Sequence, residues 1–162
     1  MPFTPFHFGP GAAAHAAAPK HVSFLAFCGA NVLIDLEPLY FMLTKQYPLH
    51  RFLHTYVGAT LVWVGMTALF MLLRTPVVRL LNLLGWKPLT LLQVSIGAAL
   101  GSYSHIVLDS LMHPDIRPLA PFSDANPFLD LVSLSALHWF CIDAGIVALV
   151  ALGARRAMDA AK

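Results

Sequence analysis

From Thr55 to Leu73 the chain carries no formal charge, and Leu, Val, Trp, Met and Phe supply most of its side chains. Roughly 20 apolar residues match a helix that crosses a bilayer core. Inside that core only a helix or a closed barrel satisfies every backbone polar group. Composition extends the reading to the whole chain. Of 162 residues, 58% are hydrophobic and 11% charged, against about 25% charged in a soluble domain. The sequence therefore reads as one all-α integral membrane domain, residues 1–162, with three to five apolar helices around a polar site.

Four apolar stretches can be placed. The first, His21 to Thr44, is interrupted by Asp35, Glu37 and Pro38. It is expected to be helical to about Ile34, to bend, and to resume through Thr44. The second, Phe52 to Leu73, is the cleanest span, and Gly58, Ala59, Gly65 and Ala68 offer close helix contact. Pro76, Gly85 and Pro88 are expected to break the helical pattern in the connection that follows. The third span is Leu89 to Met112, with a small-residue face of Gly97, Gly101 and Ser104. A Pro-rich loop, Ile116 to Phe128, leads to the fourth, Leu129 to Gly153. Ahead of them, Met1 to Lys20 lacks a basic n-region and a proper apolar h-region, so no cleaved signal is expected. Its Ala tract can form about two helical turns before Pro19.

Charge adds limits. A net charge of +2 without a basic stripe gives no reason to expect a nucleic-acid partner. Arg74, Arg79, Lys87, Arg155 and Arg156 favour one side of the membrane by the positive-inside tendency. The span ends carrying His50, His54, His105 and Asp109 then share the other side at similar depth. Lys20 points the opposite way for the N-terminus and would separate His7 from that group. Cys28 and Cys141 lie in apolar runs without CxxC spacing and read as reduced thiols.

The chemistry lies in the polar residues that interrupt the apolar runs. Residues four apart share a helix face, so His105 and Asp109 can present an imidazole nitrogen and a carboxylate oxygen to one point. His50 and His54 have the same spacing. Asp35 and Glu37 break a third run just before Pro38. Uncompensated groups of this kind are costly in an apolar setting and mark a paired network or a functional site. Two readings follow. One is a structural network: a His105–Asp109 hydrogen bond, an interfacial His50/His54 pair, and an ion pair from Asp35 or Glu37 to Arg51 or Lys45. The other is a metal centre, since His and Asp are common zinc and manganese ligands. By residue type alone His7 reads as a loop histidine, His113 as an outer ligand or, by preference, solvated, and His15 and His21 as interfacial. His138 and Asp143, about 140° apart on a helix, do not suit one ion.

The ordered set resembles a known family. Thr4-Pro5-Phe6-His7, Asp35-Leu36-Glu37, His50-Arg51-Phe52-Leu53-His54-Thr55 and Gly101-Ser102-Tyr103-Ser104-His105-Ile106-Val107-Leu108-Asp109-Ser110 resemble the YdjM-type family. These are small bacterial inner-membrane proteins, often called LexA-regulated membrane-bound metal-dependent hydrolases. Pro118-Leu119-Ala120-Pro121-Phe122 also looks like that family's segment ending in Pro-Phe. The resemblance covers most of residues 1 to 125. The family's Pro-Asp-x-Asp motif departs here to Ile34-Asp35-Leu36-Glu37. A more distant similarity is to zinc-dependent phospholipase C. The resemblance implies His7, Asp35, His50 or His54, His105 and Asp109 as ligands of one or two divalent ions, zinc foremost, with Asp109 bridging if there are two. It implies a multi-pass inner-membrane location. On that basis Asp35 or Glu37 is expected to act as general base, and Arg51 or Arg117 to neutralise a lipid or lipid-linked phosphoester.

Overall fold

The computed structural model describes residues 4–83 and 88–161. Among these residues the fold is entirely helical: α1 (Phe8–Ala17), α2 (Phe24–Leu43), α3 (Tyr56–Leu83), α4 (Leu91–Ser110) and α5 (Leu134–Ala160), with short 3₁₀ turns at Thr4–His7 and Phe52–His54. Four of them, α2 to α5, are long and apolar enough to cross a membrane. Their outer faces carry large apolar side chains such as Leu72 (81% exposed) and Leu149 (73% exposed). A surface of that kind suits lipid and would be a liability in water.

Helix starts follow ordinary capping chemistry. The Ser23 hydroxyl accepts from Ala26 N at 3.2 Å, and the Ser133 hydroxyl accepts from Ala136 N at 3.3 Å. Thr90 and Gln93 form a reciprocal capping box at the start of α4. Two proline expectations fail. Helix α2 continues through Pro38 to Leu43, and α3 continues through Pro76 to Leu83. In each case one proline removes one backbone hydrogen bond but does not end the element, because the flanking turns keep their own bonds. The exposed Arg74 and Arg79 therefore ride on the last turns of α3 rather than in a loop. Gly85 and Lys87 lie outside the described residues.

The helix that organises the molecule is α4, which packs between α2 and α3. Ser23 N donates to Gln93 O at 3.0 Å near the starts of α2 and α4, so the two run parallel. A side chain on Gly97 would collide with Ser23 O, and one on Gly101 would come within 2.5 Å of Phe27 O. Glycine at both positions lets two backbones meet directly, as in small-residue membrane interfaces. Ala30, Ile34, Ala59, Val62, Ala98 and Ile106 fill the common core. Gly65, expected at a contact, instead faces open space.

Helix α1 is short, about 15 Å by its rise. It packs against α5, and its backbone meets the α5 backbone where Gly9 touches Cys141 O. The preceding 3₁₀ turn delivers His7 into the buried centre at 1% exposure, despite what Lys20 suggested.

Candidate metal centre

The α2–α4 contact has a regular register. Ser23, Phe27, Asn31 and Asp35 recur every four residues on α2, as do Gly97, Gly101, His105 and Asp109 on α4. The first two steps meet backbone to backbone. At the third, His105 Nδ1 lies 2.9 Å from Asn31 Oδ1. At the fourth, the two carboxylates converge on shared histidines. His105 Nε2 is 3.3 Å from Asp35 Oδ1 and 3.2 Å from Asp109 Oδ2. His54, from the 3₁₀ turn before α3, places Nε2 3.8 Å from Asp35 Oδ1 and 3.6 Å from Asp109 Oδ2. One donor atom from each of Asp35, His54, His105 and Asp109 falls in a group whose members all lie within 4.8 Å of one another.

These separations fit a cation. Ligands about 2.1 Å from a tetrahedral ion are about 3.4 Å apart. His54 Nε2 and His105 Nε2 are buried and have no hydrogen-bond partner among the described residues; His7 Nε2 and Asp109 Oδ1 are buried too and face each other at 3.1 Å. Several such atoms pointing inward together are costly unless something positive binds them. The residues present can therefore hold a metal ion.

The rear face of each ring is also organised. Carbonyls only accept, so Asn31 must direct Nδ2 to Phe27 O (2.8 Å) and Gly101 O (3.4 Å). Its oxygen is thereby turned toward His105 Nδ1, which carries the proton and leaves Nε2 as a lone pair. Behind His54, Glu37 Oε2 faces Nδ1 at 3.5 Å. Behind His50, Asp115 Oδ1 lies 2.9 Å from Nδ1, while its Oδ2 accepts from Leu49 N and His50 N. Three histidines thus have an oxygen facing Nδ1, and behind His105 and His50 it lies at hydrogen-bond distance, the arrangement that fixes tautomer and ring orientation in metal-ligating histidines.

Several expected residues take different places. His7 flanks the quartet: Nε2 is 3.1 Å from Asp109 Oδ1, and Nδ1 is 3.0 Å from His105 Nδ1. His50 is nearly buried but sits beyond His54, in a separate group with Asp109 and His113. Glu37 Oε2 accepts from Arg51 N and Leu53 N, both at 3.0 Å. It positions the turn that carries His54. The Arg51 guanidinium donates to Pro48 O at 3.0 Å and stacks 3.6 Å above the Phe41 ring. It lines a cavity of about 490 Å³ with His50, Phe52, Thr55, Asp115 and Arg117. Arg117 also pairs with the exposed Asp124 at 2.7 Å.

Sequence reasoning missed Asn31, although it lies four residues before Asp35, and set His113 aside although it lies four after Asp109. Asn31 extends the α2 face that carries Asp35, and His113 follows the end of α4, its N–H bonded to Asp109 O at 2.9 Å. Asp143 is exposed on α5, away from the quartet, and His138 stacks on Phe6 at 4.7 Å. Outside the spanning helices, burial lowers the proton affinity of His50, and the neighbouring His54 charge adds to this against the opposing pull of Asp115. Burial lowers that of His113 too. Burial alone would raise the Asp115 carboxyl, but His50 and two backbone N–H groups hold it below the usual range. His50 and His113 are thus biased to the neutral form that ligates metals. No protein-family model matches this chain, and no curated protein or solved structure does.

Proposed function

We propose that this protein is a membrane-embedded metal-dependent hydrolase of the YdjM type, with zinc as its ion and a lipid or lipid-linked phosphoester as its substrate class. The carrying observation is the convergence of Asp35, His54, His105 and Asp109, with His54 Nε2 and His105 Nε2 both buried without hydrogen-bond partners among the described residues. A bound divalent ion supplies Lewis acidity and makes water a usable nucleophile near neutral pH. The chain's own groups do the rest. Asn31 and Glu37 orient the two imidazoles. Asp35, a quarter exposed, is the quartet member nearest solvent and the group placed to accept a proton there. The cavity beside His50 presents Arg51 and Arg117, whose guanidinium groups suit a phosphate. Exposed Phe52 lines the same cavity, and exposed Phe122 follows its lining residue Pro121; both suit a bilayer interface, where a headgroup would lie.

A second reading has one observation in its favour: four protein donors can close a tetrahedral sphere, which is the habit of structural zinc. Metal content of the detergent-purified protein, wild type against His105→Ala, tests the centre itself. The expected result is stoichiometric metal in the wild type and a large loss in the variant. Less than about 0.2 equivalents in metal-replete wild type would remove the basis for any metal role. Turnover of a phosphodiester presented in mixed micelles then separates hydrolase from structural site. Metal-loaded protein without turnover on any phosphoester would favour the structural reading.

A further inference from the structure

We infer that a second divalent ion binds between His50, Asp109 and His113, and that this position, rather than the quartet, is the one open to substrate. The inference rests on the proposed metal role of the quartet and assigns His113 together with a shared role for Asp109. One donor atom from each of the three residues lies within 4.8 Å of the others, so a single ion can reach all three. The His50 and His113 rings are 4.4 Å apart and the His50 and His54 rings 4.5 Å apart, which puts the triad directly beside the quartet.

A second, independent feature points to a ligand here. Asp115 occupies His50 Nδ1 at 2.9 Å and is itself fixed by two backbone N–H groups. Nε2 is then the ring nitrogen left for a cation, repeating the pattern behind His105 and His54. Asp109 serves both groups. Its Oδ2 faces the quartet histidines, while Oδ1 is turned away from them, with His7 Nε2 3.1 Å from it. A carboxylate shared in this way is the usual bridge of two-ion centres that cleave phosphoesters.

The triad differs from the quartet in two respects that decide its role. It has three protein donors rather than four, and three-ligand sites keep a coordination position open. His50 also lines the 490 Å³ cavity that carries Arg51 and Arg117, and His113 is only half-buried. The quartet is deeper, with His54 and His105 fully buried. A phosphoester entering along the arginines meets the triad first.

The test is Zn²⁺ stoichiometry, measured by equilibrium dialysis of the full chain in detergent, for wild type, His113→Ala, His113→Asn and His54→Ala. Circular dichroism and gel filtration report whether each variant folds. The expected result is two equivalents in the wild type and one in both folded His113 variants, a twofold loss. Exchange-coupled spectra with Mn²⁺ in the wild type, lost in His113→Asn, are expected alongside. One equivalent in the wild type, unchanged by His113 substitution and lost in His54→Ala, overturns the second ion and leaves the quartet standing. Two equivalents retained in folded His113 variants overturn the triad as its location. No bound zinc in the wild type overturns both proposals. His113 belongs to the triad alone and His54 to the quartet alone, so the two failures read differently.

Discussion

Asn31→Leu is the sharpest test of how the centre is organised. Asn31 is fully buried, and its oxygen is the 2.9 Å acceptor that keeps the His105 proton on Nδ1. Leucine keeps the branching of the side chain and removes the acceptor. His105 is then free to take the other tautomer, with the proton on Nε2, which cannot ligate. His7 Nδ1, 3.0 Å from His105 Nδ1, still accepts a share of that hydrogen bond. Loss of an outer partner of a ligating histidine typically weakens metal binding about 10–100-fold. With His7 remaining, the expected loss is near the lower end, about tenfold or 1.4 kcal/mol. Competition of the purified protein against a chromophoric zinc chelator measures it directly. Unchanged zinc affinity in a folded Asn31→Leu protein would refute the claim that this amide orients His105.

Three further outcomes are expected. Gly101→Ala places a methyl 2.5 Å from Phe27 O and should destabilise the protein by about 1–3 kcal/mol, whereas Gly65→Ala meets nothing within 4 Å and should be neutral or mildly stabilising; thermal unfolding in detergent compares them. Glu37→Ala leaves the N–H groups of Arg51 and Leu53 without their acceptor and should cost about 1–3 kcal/mol, while Glu37→Gln keeps an acceptor oxygen and should lose less; the same assay would show equal losses if that bond were unimportant. Arg117→Ala should raise KM for a phosphodiester more than it lowers kcat, because the guanidinium lines the cavity rather than the quartet; an unchanged KM would remove Arg117 from substrate binding.

Much of the fold was legible because a bilayer leaves few options. An uncharged run from Thr55 to Leu73 must be helical, and the same logic holds for the other spans. Element ends were less legible. Pro38 and Pro76 read as breaks, yet both lie inside continuous helices, since one lost hydrogen bond is minor beside the bonds on either side. Spacing also exposed His105 with Asp109, because four residues make one helical turn. The role of Glu37 could not be read, for its partners Arg51 N and Leu53 N are backbone groups that no side-chain pattern reveals.

What the sequence determined alone is that imidazoles and carboxylates occupy helical faces in a chain with little water to solvate them. Which of them meet was decided by tertiary structure. The parallel α2–α4 register, permitted by the missing side chains of Gly97 and Gly101, sets Asn31 behind His105 and brings Asp35 to the histidines that Asp109 faces. The turn held by Glu37 carries His54 to the same point, and the loop after α4 brings Asp115 to His50. A helix period fixes directions around one axis; only packing between axes converts them into distances short enough to share one cation.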